Sequence, residues 1–213
     1  MFARISPEMA ALIERTATAV SLAPGETLFT QGEAAEAFFI LQSGEIEISV
    51  MSAGGRKLAL EIMTPGEIFG EIGLFAGRRT ASATALTPVR LRRVRRADLL
   101  AALRSEPDLA LQVIELLCER LRMISDKLEE RAFLPLPARL ASRILHLDAK
   151  VVSATGRIPV SQADLADFAG ATREAVAKTL AGWRARGLVA LSRGGVQVLD
   201  APALRALAEN AEE

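Results

Sequence analysis

The run SQADLADFAGATREAVAKTLAGW, residues 161–183, decides how the second half of this chain folds. Ser161 opens a helical pattern through Leu165 and Phe168, and Asp164 follows three residues later. In that arrangement the hydroxyl caps a free amide and the acid returns the bond. Gly170 supplies a tight turn, because a residue without a Cβ enters the left-handed backbone region without strain. Thr172 is placed to cap a second helix whose core-facing residues are Val176, Leu180 and Trp183. Two helices joined by a short glycine turn make a helix-turn-helix, and its second helix can enter the major groove of double-stranded DNA. Arg173, Glu174 and Lys178 lie on the outward face. Arginine or lysine donates to guanine O6 and N7, and glutamate accepts from cytosine N4, each matched contact carrying roughly 1 to 3 kcal/mol of discrimination.

Upstream, Pro135 and Pro137 interrupt a helical pattern and mark a hinge. Before them Ile114, Leu117, Leu121, Ile124 and Leu128 alternate spacings of three and four, the narrow seam of a long helix that packs lengthwise on another. A second copy of the chain is the expected partner, giving a homodimer. Cys118 stands beside Leu117 and is expected to be a packed thiol.

From Ser21 to Val94 short apolar or alternating runs are divided by turn signals, including Pro24-Gly25, Ser43-Gly44, Gly54-Gly55 and Pro65-Gly66. Their spacing of about ten residues is that of a compact all-β sandwich or barrel. Ile46, Ile48 and Val50 alternate with Glu45, Glu47 and Ser49, which predicts one wall facing the core and one facing water, and Leu58, Leu60 and Ile62 repeat the pattern. The continuous run Phe38 to Leu41 predicts a strand covered on both sides. Arg90, Arg92, Arg93, Arg95 and Arg96 read as a solvated strand edge followed by a charged link, with Leu91 and Val94 inward.

The 213 residues are 50% apolar, with 26 basic and 26 acidic side chains, so any attraction to nucleic acid must come from a local patch. No uncharged apolar run approaches the roughly 18 residues of a membrane span, and Glu8 and Glu14 interrupt any signal peptide, so a cytoplasmic protein without membrane contact is expected. One cysteine, one histidine and no tyrosine leave no catalytic constellation and no metal site to expect. His146 falls off the Leu140, Ile144, Leu147 stripe and reads as a surface residue.

The stretch Phe69-Gly70-Glu71-Ile72-Gly73-Leu74-Phe75-Ala76-Gly77-Arg78-Arg79-Thr80 is a glycine-bounded helical turn with arginine and a hydroxyl close behind. Free amides and a guanidinium suit a phosphate, while Glu71 needs a donor such as a ribose hydroxyl. A 3′,5′-cyclic nucleotide offers both, though a tight β-turn with a solvated arginine would carry the same residues.

Both motifs resemble those of the Crp/Fnr family of bacterial transcription regulators, residues 161–180 its winged helix-turn-helix and residues 69–82 its phosphate-binding cassette. The likeness covers nearly the whole chain. It implies an α+β fold: an N-terminal β-roll of the double-stranded β-helix or jelly-roll type over residues 1–107, a dimerisation helix over 108–134 and a winged helix-turn-helix over 135–213. It implies that Gly70, Glu71, Ile72, Arg79 and Thr80 hold cAMP or cGMP as an allosteric effector, that Arg120 pairs with Glu71, and that Ser125 reaches the base across the dimer. Thr172, Arg173, Glu174 and Lys178 would meet DNA, with Arg193 a phosphate contact in a wing spanning residues 187–199, and RNA polymerase would be a partner. Ile124 stands where cAMP-binding members carry a threonine that contacts adenine, and an aliphatic side chain cannot bond the exocyclic amine. A family regulator with another effector or none, and a cyclic-nucleotide-binding regulatory subunit acting on a partner protein, remain alternatives.

Overall fold

The computed structural model describes residues 7–55, 57–150, 156–192 and 194–209, with only the backbone described at Pro7 and Arg131. The chain forms two compact units, 1–123 and 124–213, and the division falls inside one long helix.

In the first unit helix α1 (Pro7–Thr16) precedes eight strands: β1 (Thr18–Leu22), β2 (Thr27–Phe29), β3 (Ala37–Ser43), β4 (Ile46–Met51), β5 (Lys57–Met63), β6 (Ile68–Phe69), β7 (Ser82–Ala85) and β8 (Val89–Arg95). A short helix, α2 (Glu71–Ala76), separates β6 from β7, and α3 (Arg96–Ser105) and α4 (Pro107–Phe133) follow β8. The strands form two four-stranded antiparallel sheets, ordered β1-β8-β3-β6 and β2-β7-β4-β5. This is the expected β-roll, double-layered and not a closed barrel.

Its inner core gathers Phe29, Phe39, Leu41, Ile46, Ala83 and Leu91 from both sheets. The outer face of the first sheet is covered by α1, α3 and the start of α4, through Phe38, Ile40, Val94, Leu99, Leu109 and Val113. β3 therefore lies between two cores, with Phe38 and Ile40 turned one way and Phe39 and Leu41 the other, which is why its apolar run is unbroken. Truncating Leu91, fully buried at the centre, to alanine costs about 2 to 5 kcal/mol.

The structure corrects three expectations here. The polar wall of β4 is not in water: Glu47 and Ser49 are buried, and Lys57 pairs with Glu47. On β5 the alternation breaks because the register shifts between Ile48 and Ser49, leaving Leu60 as an extra residue, so Ala59 and Glu61 are buried while Leu58 and Leu60 are half-exposed. The arginine run is no sheet edge, since β8 is bonded to β1 on one side and β3 on the other, and the link after it is helix α3. Several of these arginines tie elements together: Arg92 donates to the carbonyls of Ile13 and Ala17, Arg96 to that of Leu74, and Arg95 to Asp98. Leu91 and Val94 are fully buried, as expected.

In the second unit α5 (Leu136–Lys150) packs on α6 (Gln162–Ala169), α7 (Arg173–Ala185) and α8 (Ala201–Glu209), with a two-stranded hairpin of β9 (Val189–Ser192) and β10 (Gly195–Val198). Leu140, Ile144, Leu147, Leu165, Val176, Leu180 and Leu204 make its core. Pro137 sits in the first turn of α5, where no intrahelical N–H is required, so it starts this helix while Leu134-Pro135 ends the previous one. His146 lies half-buried off the apolar stripe.

Candidate effector site and nucleic-acid interface

The first candidate site forms where β6 runs into α2. Gly70 caps α2 in the left-handed region at φ 80, with no side chain capping the turn. A Cβ there would stand 2.9 Å from Nη1 of Arg79, so the close approach of guanidinium and backbone requires glycine. Arg79 is 6% exposed, and its Nη1 donates to the Gly70 carbonyl at 3.0 Å. Its guanidinium lies 4.0 Å from the ring centroid of Phe29 and 5.5 Å from that of Phe39, in a box completed by Phe69. Burial draws its pKa downward, an effect the carboxylate of Glu33 opposes and the charge of Arg93 reinforces. Among the described residues its Nε has no hydrogen-bond partner. A desolvated cation with a donor to spare is suited to an anion brought into the roll.

Glu71, 4% exposed, accepts from Nε of Arg120 at 3.0 Å, and Arg120 also donates to the Ile68 carbonyl. The cassette carboxylate and α4 are thus joined by a nearly dry ion pair within the first unit. Ile72 is half-buried and Thr80 is exposed. Ser125 lies exposed on α4 in the second unit. The phenylalanine box escaped the sequence reading, because its members are spread from position 29 to position 69 and only the pairing of the two sheets brings them together.

The seam of α4 divides. Ile114, Leu121, Ile124 and Leu128 are each more than half exposed, whereas Leu117 packs partly against the outer core of the roll. Cys118 is exposed, not packed, since it falls on the outward side of α4 while Val113 and Leu116 take the buried one.

In the second unit the helix-turn-helix is built as its residues dictate. Ser161 Oγ accepts from the Asp164 amide at 3.1 Å, and Asp164 accepts from the Ser161 amide at 2.9 Å. Gly170 turns the chain at φ 61. Thr172 Oγ1 accepts from the Ala175 amide at 3.2 Å. Val176, Leu180 and Trp183 are buried, and Arg173, Glu174 and Lys178 are exposed on the opposite side of α7. A groove of about 360 Å³ runs from Arg173 past Ser161 and Gln162 to Leu191 and Ser192 of the hairpin, so helix and hairpin present one continuous surface. Arg193 lies outside the described residues. Among the described residues no group of three histidine, cysteine or acidic side chains is placed to hold a metal, and no helix is long and apolar enough to cross a membrane.

Comparison with known proteins agrees with this division. Residues 19–106 match the cyclic nucleotide-binding domain family, and residues 138–207 match the Crp-like helix-turn-helix domain family. The chain is 31% identical over 210 residues to a CRP-like cAMP-activated global transcriptional regulator of Mycobacterium tuberculosis, covering 96% of this chain and 94% of that one. It is 32% identical over 185 residues to the cyclic AMP receptor protein of Thermus thermophilus, covering 86% and 85%. A solved CRP/FNR-family transcriptional regulator of Thermus thermophilus superposes with a TM-score of 0.79 at 25% identity, over 91% of this chain and all of that one. With a β-roll, a long helix and a capped helix-turn-helix in this order, the chain belongs to the CRP/FNR family of DNA-binding transcription regulators and carries that family's cyclic nucleotide-binding domain.

Proposed function

We propose that this regulator works as a cytoplasmic homodimer that binds a cyclic nucleotide in each β-roll and reads a near-palindromic operator with its two α7 helices. In this reading the sensor spans residues 1–107, the dimerisation helix 108–134 and the DNA-binding domain 135–213. Arg79, Thr80 and the amides around Gly70 and Ile72 hold the cyclic phosphate, Glu71 accepts from the ribose 2′-hydroxyl, and Ser125 approaches the base from the second protomer. The observations that carry the reading are the buried Arg79, which donates to the Gly70 carbonyl and whose Nε has no partner among the described residues, and the adjoining Glu71, held by Arg120 of α4. A ribose hydroxyl on Glu71 redistributes the hydrogen bonds of that ion pair. The ligand then has a different affinity for each arrangement of α4, which is the condition for a switch.

The exposed apolar seam of α4 supports pairing with a second copy, by knobs-into-holes packing. Two-fold pairing sets the reading helices roughly 34 Å apart in successive major grooves, with Arg173, Glu174 and Lys178 on base edges, Thr172 and Arg193 on the backbone, and RNA polymerase recruited or obstructed nearby. Calorimetric titration with cAMP and cGMP, combined with operator selection from randomised duplexes, tests both halves. The expected result is heat with at least one nucleotide and an enriched two-fold word whose affinity rises with that ligand. Heat with neither ligand and unchanged operator affinity overturns the nucleotide switch while leaving DNA reading intact.

A further inference from the structure

The link between α4 and α5 is short and pinned. Only Leu134 and Pro135 separate the two helices. Prolines at 135 and 137 would by themselves make a corner of variable angle, since proline fixes φ and leaves ψ open. Side chains close that corner from the inside. The Leu134 amide still donates to the Glu130 carbonyl at 2.9 Å, and the Leu134 carbonyl accepts from Nη1 of Arg139 at 2.6 Å. Across the corner, one carboxylate oxygen of Glu130 accepts from Ser142 Oγ at 3.3 Å, and the other lies 3.6 Å from Nη2 of Arg143. All of these residues belong to the second unit.

Glu130 stands three residues before the end of α4, about 4.5 Å along its axis. Ser142 and Arg143 stand six and seven residues into α5, about 9 to 10.5 Å along that axis. A contact so far from the vertex on both arms acts as a strut, setting an angle that the link alone leaves open. The Arg143 side chain is 13% exposed, and among the described residues its ion-pair partner is Glu130. Salt screens so sheltered a pair far less than one on the open surface. We infer that Glu130 is a positioning residue for DNA reading: through Ser142 and Arg143 it fixes the angle at which α5, and with it α7, leaves the end of α4. The inference rests on the proposed two-fold pairing through α4. α5 has 15 residues and is about 22 Å long, so a change of about 10° moves its far end by roughly 4 Å. One base-pair step along DNA is about 3.4 Å. The strut therefore sets which separation of half-sites the two α7 helices meet at once, and leaves the base contacts of each helix as they are.

The experiment measures the affinity of the full-length protein for the duplex word selected from randomised oligonucleotides, for the same word with its spacer one base pair longer or shorter, and for a single half-site. The wild type is expected to lose about tenfold or more on either altered spacer. Glu130→Arg is expected to reduce that loss to about threefold or less, and the milder Glu130→Gln to an intermediate value, neither changing affinity for the single half-site. Combining Glu130→Arg with Arg143→Glu is expected to restore the wild-type loss. Unchanged spacer dependence in both single variants overturns the inference, and so does a combined variant that behaves like Glu130→Arg. Parallel weakening on the single half-site also overturns it, since Glu130 then supports the fold and not the angle. A wild type indifferent to the spacer overturns the two-fold reading itself.

Discussion

The candidate effector site and the outward face of α7 each carry an arginine and a glutamate, yet they hold them in opposite ways. Arg79 and Glu71 are almost fully buried, the first stacked on phenylalanines and the second clasped by Arg120. Arg173 and Glu174 stand in water on a helix whose other face is tightly packed. Buried charges interact strongly and respond to any newcomer, so they suit a sensor whose internal bonds must be redistributed. Exposed charges carry little free energy until a partner desolvates them, which suits a surface that discriminates among DNA sequences.

The contrast is broken most directly at Arg79. Arg79→Ala is expected to weaken cyclic-nucleotide binding by about 100-fold or more, because a desolvated charge-assisted pair is lost, while operator affinity without ligand is unchanged. Calorimetry checks the first and mobility shift the second, and retained nucleotide affinity would place the anion elsewhere. Leu121→Glu puts a charge in the exposed α4 seam. It is expected to leave monomers at concentrations where the wild type sediments as a dimer, with loss of affinity for a two-site operator. An unchanged sedimentation coefficient would leave that stripe without its assigned role.

On the exposed side, Arg173→Ala is expected to remove roughly 1 to 3 kcal/mol of discrimination at one base position and to relax the selected word there. Equal weakening on every sequence would indicate a phosphate contact instead. The smallest effect is expected at Glu45, whose carboxyl is pushed above its ordinary value of 4.5 by burial. A raised carboxyl stabilises the fold fully at acid pH, and that contribution is lost as pH rises through the folded-state pKa. Glu45→Gln should therefore raise the melting temperature at neutral pH, by the equivalent of about 0.5 kcal/mol or less after solvent screening, and not below the carboxylate range. Thermal melts across pH check the sign.

How much of this was legible in the residues varied with how local the physics is. The capping box of Ser161 and Asp164, the turn at Gly170 and the cap at Thr172 are settled within four residues of chain, and each is present as expected. The division of β3 between two cores was legible because an unbroken apolar run in a strand has no other use. Burial of Glu61 was not, since one extra residue in β5 changes which face its neighbours take, and neither was burial of Glu47 and Ser49, because alternation along β4 sets the face of a side chain and not what covers it. The position of β8 between β1 and β3 was hidden by its own arginines, whose long stems reach past the strand to carbonyls elsewhere. Cys118 went the other way, because its helix packs along one side and leaves the thiol on the other.

The residues alone determined the succession of elements, the helix-turn-helix with its outward charges and the glycine-bounded cassette. Caps, turns and apolar periods act between neighbours in the chain, and their free energies do not wait for the rest of the molecule. Only the tertiary structure decided that Arg79 lies over phenylalanines from both sheets and that Glu71 is held by α4. Those relations join residues 40 to 50 positions apart, and their sign and strength depend on strand register and on water excluded when two sheets close.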